Sequence, residues 1–129
     1  MTNKDLFYDV TMFHLKGGHP VGDAQFTDAE FLKNRISFIE EELTELKAAC
    51  IEESHAAEAL DALVDIMYFC IGTAVALGWD INEAWNRVQK SNMDKFPEGV
   101  AIRHSETNKI LKPAGWVAPV LNDLVAHNK

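Results

Sequence analysis

The stretch from Ala56 to Leu77 constrains the fold more than any other part of this 129-residue chain. It is long enough for about six turns of α-helix, and its only charged side chains are Glu58, Asp61 and Asp65. A helix that is apolar on nearly every side is predicted to lie buried in a protein. Because the three acids are spaced by three and then four residues, they fall in one row along one face.

A membrane-spanning helix is the main alternative for this stretch, since the run from Ala59 to Leu77 is almost wholly apolar. Asp61 and Asp65 argue against it, because a central Asp costs about 2.5–3.5 kcal/mol on insertion scales. The segment Met1–Asp5 also lacks the basic and apolar regions of a signal peptide. We therefore expect a soluble, cytoplasmic protein, with one domain spanning residues 1–129.

The remaining sequence predicts an all-α fold, a four-helix-bundle core followed by a short irregular C-terminal tail. Helix caps and stops support the assignment: Thr2 and Thr27 are the predicted first caps, and Gly17-Gly18 and Gly78 are the stops. After Pro97 we expect a short hairpin around residues 106–108 and a last helical turn within 120–125. The helices are predicted over roughly Asn3–Lys16, Thr27 to about Ile51, Ser54–Leu77 and Asp80–Asn92.

The second helix carries two neighbouring rows of side chains. One row is apolar and is expected to face the core: Leu32, Ile36, Ile39, Leu43, Leu46 and Cys50. The next row begins apolar and becomes acidic: Phe31, Arg35, Phe38, Glu42, Glu45 and Ala49. A tight turn near residue 53 predicts antiparallel packing on the third helix. Glu45 and Asp61 lie about eight residues either side of that turn, so the acids of both helices should converge.

Several carboxylates at one site repel each other unless cations neutralise them. Carboxylate oxygens suit Mg²⁺ or Mn²⁺, and Mg²⁺ in proteins commonly bridges substrate phosphates. The pattern therefore favours phosphate chemistry. A di-iron site would need a second Glu-x-x-His besides Glu52–His55, and none occurs. The net charge of −8 disfavours nucleic-acid binding. Cys50 and Cys70 are too far apart on their helices to bridge, and buried free thiols are expected.

Four segments stand out as motifs: Arg35–Leu46 with Glu-Glu-x-x-Glu, Glu58–Tyr68 with Glu-x-x-Asp, Phe13-His14 with Gly18 and Pro20, and Ser91–Lys95. They resemble the acidic segment, the acidic helix, the substrate loop and the Asn-containing box of the all-α NTP pyrophosphohydrolases, above all the MazG-like and phosphoribosyl-ATP pyrophosphohydrolase-like branch of phages and bacteria. Directly before the last of these motifs, Lys90 stands where that branch usually has Arg. The likeness covers roughly residues 8–125, and the order and spacing of the motifs together are more specific than any one of them.

The resemblance implies hydrolysis of a (d)NTP to a (d)NMP and pyrophosphate, in nucleotide-pool control, by a homodimer or larger homo-oligomer that uses Mg²⁺. It implies Glu42, Glu45, Glu58 and Asp61 as metal ligands and Glu41 as the group that activates water. Asp65 is the alternative aspartate ligand, because some branches place the ligand before two aliphatic residues and an aromatic one. Substrate contacts are implied for His14, Lys90, Asn92 and Lys95.

A non-catalytic regulatory or scaffold bundle is the alternative function. The acids on an otherwise apolar helix favour the enzyme, because a scaffold has no need of them. The sequence leaves open the preferred base and sugar, the choice between dimer and tetramer, and the biological role.

Overall fold

Five helices form the regular structure of residues 5–51 and 55–125, the parts of the chain that this computed structural model describes. The all-α prediction is confirmed. Within the described residues, β structure is limited to one isolated antiparallel bridge between Arg103 and Ile110. In chain order the helices are α1 (Leu6–Gly17), α2 (Ala29–Ile51), α3 (Ala56–Leu77), α4 (Ile81–Met93) and α5 (Asn122–Val125).

The first helix begins later than predicted because Asp5 caps it. The Asp5 carboxylate accepts hydrogen bonds from the amides of Phe7 and Tyr8 at 3.0 and 3.1 Å. These amides are among the donors that every helix N-terminus leaves free. The predicted cap, Thr2, lies outside the described residues. Gly18 ends α1 as predicted, in the left-handed conformation with φ of 74°.

Aspartates also cap α2 and α4. The Asp28 carboxylate accepts a hydrogen bond from the amide of Glu30 at 3.1 Å. The capping box that was predicted to begin at Thr27 is therefore wrong by one residue. Asp80, where the fourth helix was predicted to begin, caps α4, because its carboxylate accepts a hydrogen bond from the amide of Glu83 at 3.0 Å.

Helices α2 and α3 pack antiparallel, as predicted, and the predicted turn near residue 53 lies outside the described residues. The Arg35 guanidinium on α2 donates to the Thr73 hydroxyl and to the Phe69 carbonyl of α3, at 3.0 and 3.1 Å. The rings of Phe38 and Phe69 lie 5.3 Å apart between centroids. These contacts fix the register of the two helices, and they place the next turn of α2 level with Asp65.

The buried core of one chain is small and lies mainly around the C-terminal half of α3. The connection between α1 and α2 covers this end of the helix. The amides of Gly22 and Ala24 donate to the carbonyls of Val75 and Ala76 at 2.9 and 3.0 Å, which satisfies acceptors that a helix end leaves free. The buried apolar residues are Val10, Ala49, Ala62, Ile71, Ala74, Ala76, Leu77 and Leu124.

The predicted core stripe of α2 is wrong for half of its members. Ile36 is 55% exposed and Leu43 is 41% exposed, and Cys50 is exposed as well. The reason is that α2 turns its other row, which includes Arg35 and the buried Ala49, towards α3. Leu32, Ile39 and Leu46 flank that contact and are half-buried.

One face of α3 is also exposed in the single chain, contrary to the prediction of a buried helix. Leu60, Leu63, Val64 and Met67 recur at helical spacing and are 47% to 64% exposed. Cys70 is exposed too, so the prediction of buried thiols is wrong, although both cysteines are free. By length and composition alone α3 could cross a membrane, and 33% of its most apolar stretch is buried.

The tail after α4 folds back along that helix. Arg87 is the main anchor: its guanidinium donates to both carboxylate oxygens of Asp123 at 2.7 and 3.1 Å, and to the Val120 carbonyl at 2.9 Å. The indole nitrogen of Trp116 donates to the Ser91 carbonyl at 2.6 Å. The predicted hairpin is reduced to the single bridge, and α5 provides the predicted last helical turn.

Candidate active site

Carboxylates of α2 and α3 converge on Glu42. Burial raises the pKa of Glu42, and the negative charges of Glu45, Asp65, Asp61 and Glu41 raise this pKa further, in that order. The pKa of an acid rises where its ionised form loses solvent or lies near like charges. Five of the acids selected from the sequence therefore lie within electrostatic reach of one another around this residue.

The donor chemistry of this group fits a hard divalent cation. All of its side chains are carboxylates, the ligand type of Mg²⁺ and Mn²⁺. No basic side chain is among the groups that shift the pKa of Glu42. The ligand set is not preassembled: within residues 5–51 and 55–125, no three His, Cys, Asp or Glu side chains are placed to hold a metal ion. Because like charges repel, a bound cation would lower the cost of drawing these carboxylates together, and the residues that would hold it are Glu42, Glu45, Asp61 and Asp65.

Glu58 is placed differently from the other predicted ligands. Its side chain is 68% exposed, and its carboxylate lies 3.7 Å from the Nδ1 atom of His55, three residues earlier. It is not among the charges that act on Glu42. The structure therefore brings Asp61 and Asp65 to the α2 acids but leaves Glu58 near the start of α3.

A partly buried polar cluster lies further along the same row of α3, beyond Asp65. Gly72 brings the two helices together there. A β-carbon added to Gly72 would lie 2.5 Å from Nη2 of Arg35 and 2.7 Å from Nε2 of His14. Burial lowers the pKa of Arg35, whose guanidinium is fixed by the Thr73 and Phe69 bonds already described and lies 5.6 Å from the Phe69 ring centroid.

His14, which the sequence suggests as a substrate contact, is 3% exposed. Its Nδ1 atom lies 2.8 Å from the carbonyl of Pro20, and because a carbonyl only accepts, Nδ1 carries the proton. Burial lowers the pKa of His14; the bond to Pro20 opposes this shift, and the nearby Arg35 and His19 add to it. The ring therefore anchors the loop after α1.

The other three residues predicted to bind substrate, Lys90, Asn92 and Lys95, lie at the end of α4 and just after it. The Lys90 ammonium pairs with Asp94 at 2.8 Å. The Lys95 ammonium lies 5.5 Å from the centroid of the Trp116 ring. Asn92 is exposed. Within the part of the chain that the structure describes, Lys90 and Lys95 thus contact residues at the end of α4 and in the tail.

Sequence reasoning did not identify Arg35 and Gly72 as parts of the site. Arg35 is a lone cation in a row of aromatic and acidic side chains, and Gly72 is a glycine inside a helix, where it costs roughly 1 kcal/mol relative to Ala. Both are signals of a specific packing requirement. What the sequence did not show is that the two positions meet each other and His14.

The chain matches one known protein family over most of its helical part. The model of the phosphoribosyl-ATP pyrophosphohydrolase family matches residues 10–92, which is more than half of the chain. The chain belongs to the phosphoribosyl-ATP pyrophosphohydrolase family. The family match begins before His14, contains every acid around Glu42 and ends at Asn92, so Lys95 and the tail lie beyond it. No curated protein sequence matches the chain. Family membership suggests a hydrolase with a pyrophosphohydrolase type of activity, generally dependent on divalent metal.

Proposed function

We propose that this protein hydrolyses nucleoside triphosphates between the α- and β-phosphates, with Mg²⁺ or Mn²⁺ as the cofactor. Water and a (d)NTP give a (d)NMP and pyrophosphate. The observation that supports this function best is the environment of Glu42, whose pKa is raised by burial and by four further carboxylates. Holding several carboxylates close together costs free energy unless cations neutralise their charges. A group of this kind therefore suits a site that binds phosphates through metal ions.

We assign a role to each carboxylate from its position. Glu42, Glu45, Asp61 and Asp65 would hold the metal, which when bound neutralises phosphate oxygens. Glu41 lies beside this group on α2 and would take the proton of the attacking water. Glu58, at the exposed start of α3, is proposed only as a further ligand. We propose that the protein acts in the cytoplasm, where nucleoside triphosphates are made and used.

We also propose that the working protein is at least a homodimer. Exposed apolar rows remain on both α2 and α3, including Ile36, Leu43, Leu60 and Leu63, and large exposed apolar patches mark interaction surfaces. A two-fold dimer is the commonest way to cover such a surface. A second chain would also bring Lys90, Asn92 or Lys95 to phosphates that the acids of the first chain hold.

Release of pyrophosphate from a nucleotide panel with Mg²⁺ tests the activity. The panel should contain the common ribo- and deoxyribonucleoside triphosphates and phosphoribosyl-ATP, after which the family is named. Turnover of any of them to the corresponding monophosphate and pyrophosphate supports the proposal. If neither Mg²⁺ nor Mn²⁺ yields pyrophosphate from any of them, the proposed activity is wrong, and a non-catalytic bundle becomes the better description.

A further inference from the structure

Three aromatic rings meet where α1, the following loop and α3 come together. The rings of Phe13 and His19 are stacked, with 5.8 Å between centroids and 20° between planes. The ring of Tyr68 stands edge-on to Phe13 at 5.4 Å and 90°. Phe13 is 53% exposed and His19 is also exposed, so these rings form a surface that solvent and ligands can reach.

The backbone under these rings is firmly held. The amide of His19 donates to the carbonyl of His14 at 2.9 Å, and the buried ring of His14 holds the Pro20 carbonyl. The left-handed Gly18 lets the chain reverse between them. A surface that is fixed before the ligand arrives loses less entropy on binding.

The aromatic surface lies directly beside the acidic group. Tyr68 follows Asp65 by three residues on one face of α3, a rise of about 4.5 Å along the helix axis. Asp61 precedes Asp65 by one turn on the same face. A ligand whose phosphates lie at the acids therefore has aromatic rings beside it within about one further helical turn.

We propose that Phe13, His19 and Tyr68 form the platform on which the base of the nucleotide stacks. This inference rests on the proposed function for the position of the phosphates. Every base has a π-face, so recognition by stacking tolerates many bases. The arrangement assigns His14 a positioning role beneath the platform, and it makes Phe13 the exposed ring that contacts the base.

Calorimetric titration of the full-length protein with two ligands in Mg²⁺ separates the base from the phosphates. One ligand is an α,β-methylene analogue of ATP and the other is inorganic tripolyphosphate. Phe13→Leu should weaken binding of the ATP analogue about 5- to 150-fold, the range expected for one stacked base, and should leave tripolyphosphate binding unchanged. Phe13→Tyr, which keeps a ring, should bind the analogue like wild type.

Phe26→Leu is the matched control, because Phe26 is 52% exposed and its ring pairs with Trp79 at 5.3 Å, away from the acids. This variant should bind both ligands like wild type. Unchanged binding of the analogue in Phe13→Leu, or equal weakening of both ligands, would overturn the platform even if wild-type protein releases pyrophosphate. A base-dependent loss in Phe13→Leu supports the platform even in a protein without turnover.

Discussion

The guanidinium of Arg35 occupies the space beside Gly72 that a side chain would need. A β-carbon at position 72 would lie 2.5 Å from Nη2 of Arg35 and 2.7 Å from Nε2 of His14. Hydrogen bonds hold both side chains in place: Arg35 donates to Thr73 and Phe69, and His14 donates to the Pro20 carbonyl. One glycine thus lets a cation and an imidazole lie between α1, α2 and α3.

Replacing this glycine should destabilise the protein. Gly72→Ala gains about 1 kcal/mol of helix propensity, but forcing a methyl group into a filled space typically costs about 1–3 kcal/mol. We expect a net loss in the free energy of unfolding, measured by urea denaturation. The loss should shrink when Gly72→Ala is made in an Arg35→Ala background, where one of the two obstructing groups is gone. A Gly72→Ala protein more stable than wild type would contradict the close packing.

His14 should make stability depend on pH. Burial lowers the pKa of His14 below its ordinary value of 6.5, so the unfolded chain binds a proton at a pH where the folded chain does not. The stabilisation is complete above pH 6.5 and is lost as the pH falls through the lower, folded-state pKa. Urea denaturation at pH 7.5 and pH 5 should therefore show a lower free energy of unfolding at the acid pH.

His14→Asn provides the test of this assignment. Asn keeps an N–H donor near the position of Nδ1 but does not titrate in this range. The variant should lose less stability than wild type between the two pH values, whatever its stability at pH 7.5. Equal losses in both proteins would show that other groups cause the pH dependence.

Much of the fold follows from local sequence patterns. The antiparallel packing of α2 and α3 could be predicted, because Glu45 and Asp61 lie about eight residues either side of the predicted turn near residue 53. Which row of α2 faces α3 could not, since the row that begins at Leu32 was expected to face the core. The cap of α2 could not be predicted, because Thr27 and Asp28 are both good caps and the sequence does not show which side chain reaches the free amides.

Exposure could not be predicted from the apolar pattern. Leu43 and Leu63 have the spacing of core residues, yet both are exposed in one chain, because apolar periodicity does not distinguish a core from an interface. Of the candidate site, acids at helical spacing were predictable. The meeting of Arg35, Gly72 and His14 was not, because it depends on how three helices and a loop pack together.

Repulsion among the carboxylates around Glu42 should lower the Tm of the protein when no metal is bound. Because the folded-state pKa of Glu42 is raised, its stabilising contribution is present below its unfolded-state pKa and lost as the pH rises through the folded value. In chelator at pH 8, Glu42→Gln should therefore have a higher Tm than wild type. Mg²⁺ should raise the Tm of wild type more than that of the variant.

Glu40→Gln is the control for this comparison, since Glu40 lies on the same helix but is not among the charges that act on Glu42. It should keep the wild-type response to Mg²⁺ and to chelator. If Mg²⁺ raises the Tm of Glu42→Gln as much as that of wild type, Glu42 does not hold the metal.

Assembly can be tested by light scattering at micromolar concentration. We expect a particle of at least twice the 14.4 kDa chain mass. Leu63→Lys places a charge on the exposed apolar face of α3 and should shift the particle towards the monomer. Val117→Lys is a matched control, because Val117 is a 73% exposed apolar residue in the tail. A wild-type particle near 14.4 kDa would contradict the proposed dimer.

The two candidate aspartate ligands can be ranked by activity. Asp61→Asn and Asp65→Asn should each lower kcat, with the larger loss marking the main ligand. Loss of a direct metal ligand should reduce turnover by at least about 100-fold, since even groups that only orient ligands cost 10–100-fold. Circular dichroism should show unchanged helicity. Wild-type kcat in both variants would remove the aspartates of α3 from the metal site.

The proposed hydrolysis is tested most directly by a product analysis of wild type and Glu42→Gln with a nucleoside triphosphate, in Mg²⁺ and in excess chelator. We expect monophosphate and pyrophosphate in equal amounts from wild type with Mg²⁺, none in chelator, and at least about 100-fold less from Glu42→Gln. Diphosphate and orthophosphate as the first products, or full turnover in chelator or by Glu42→Gln, would contradict it.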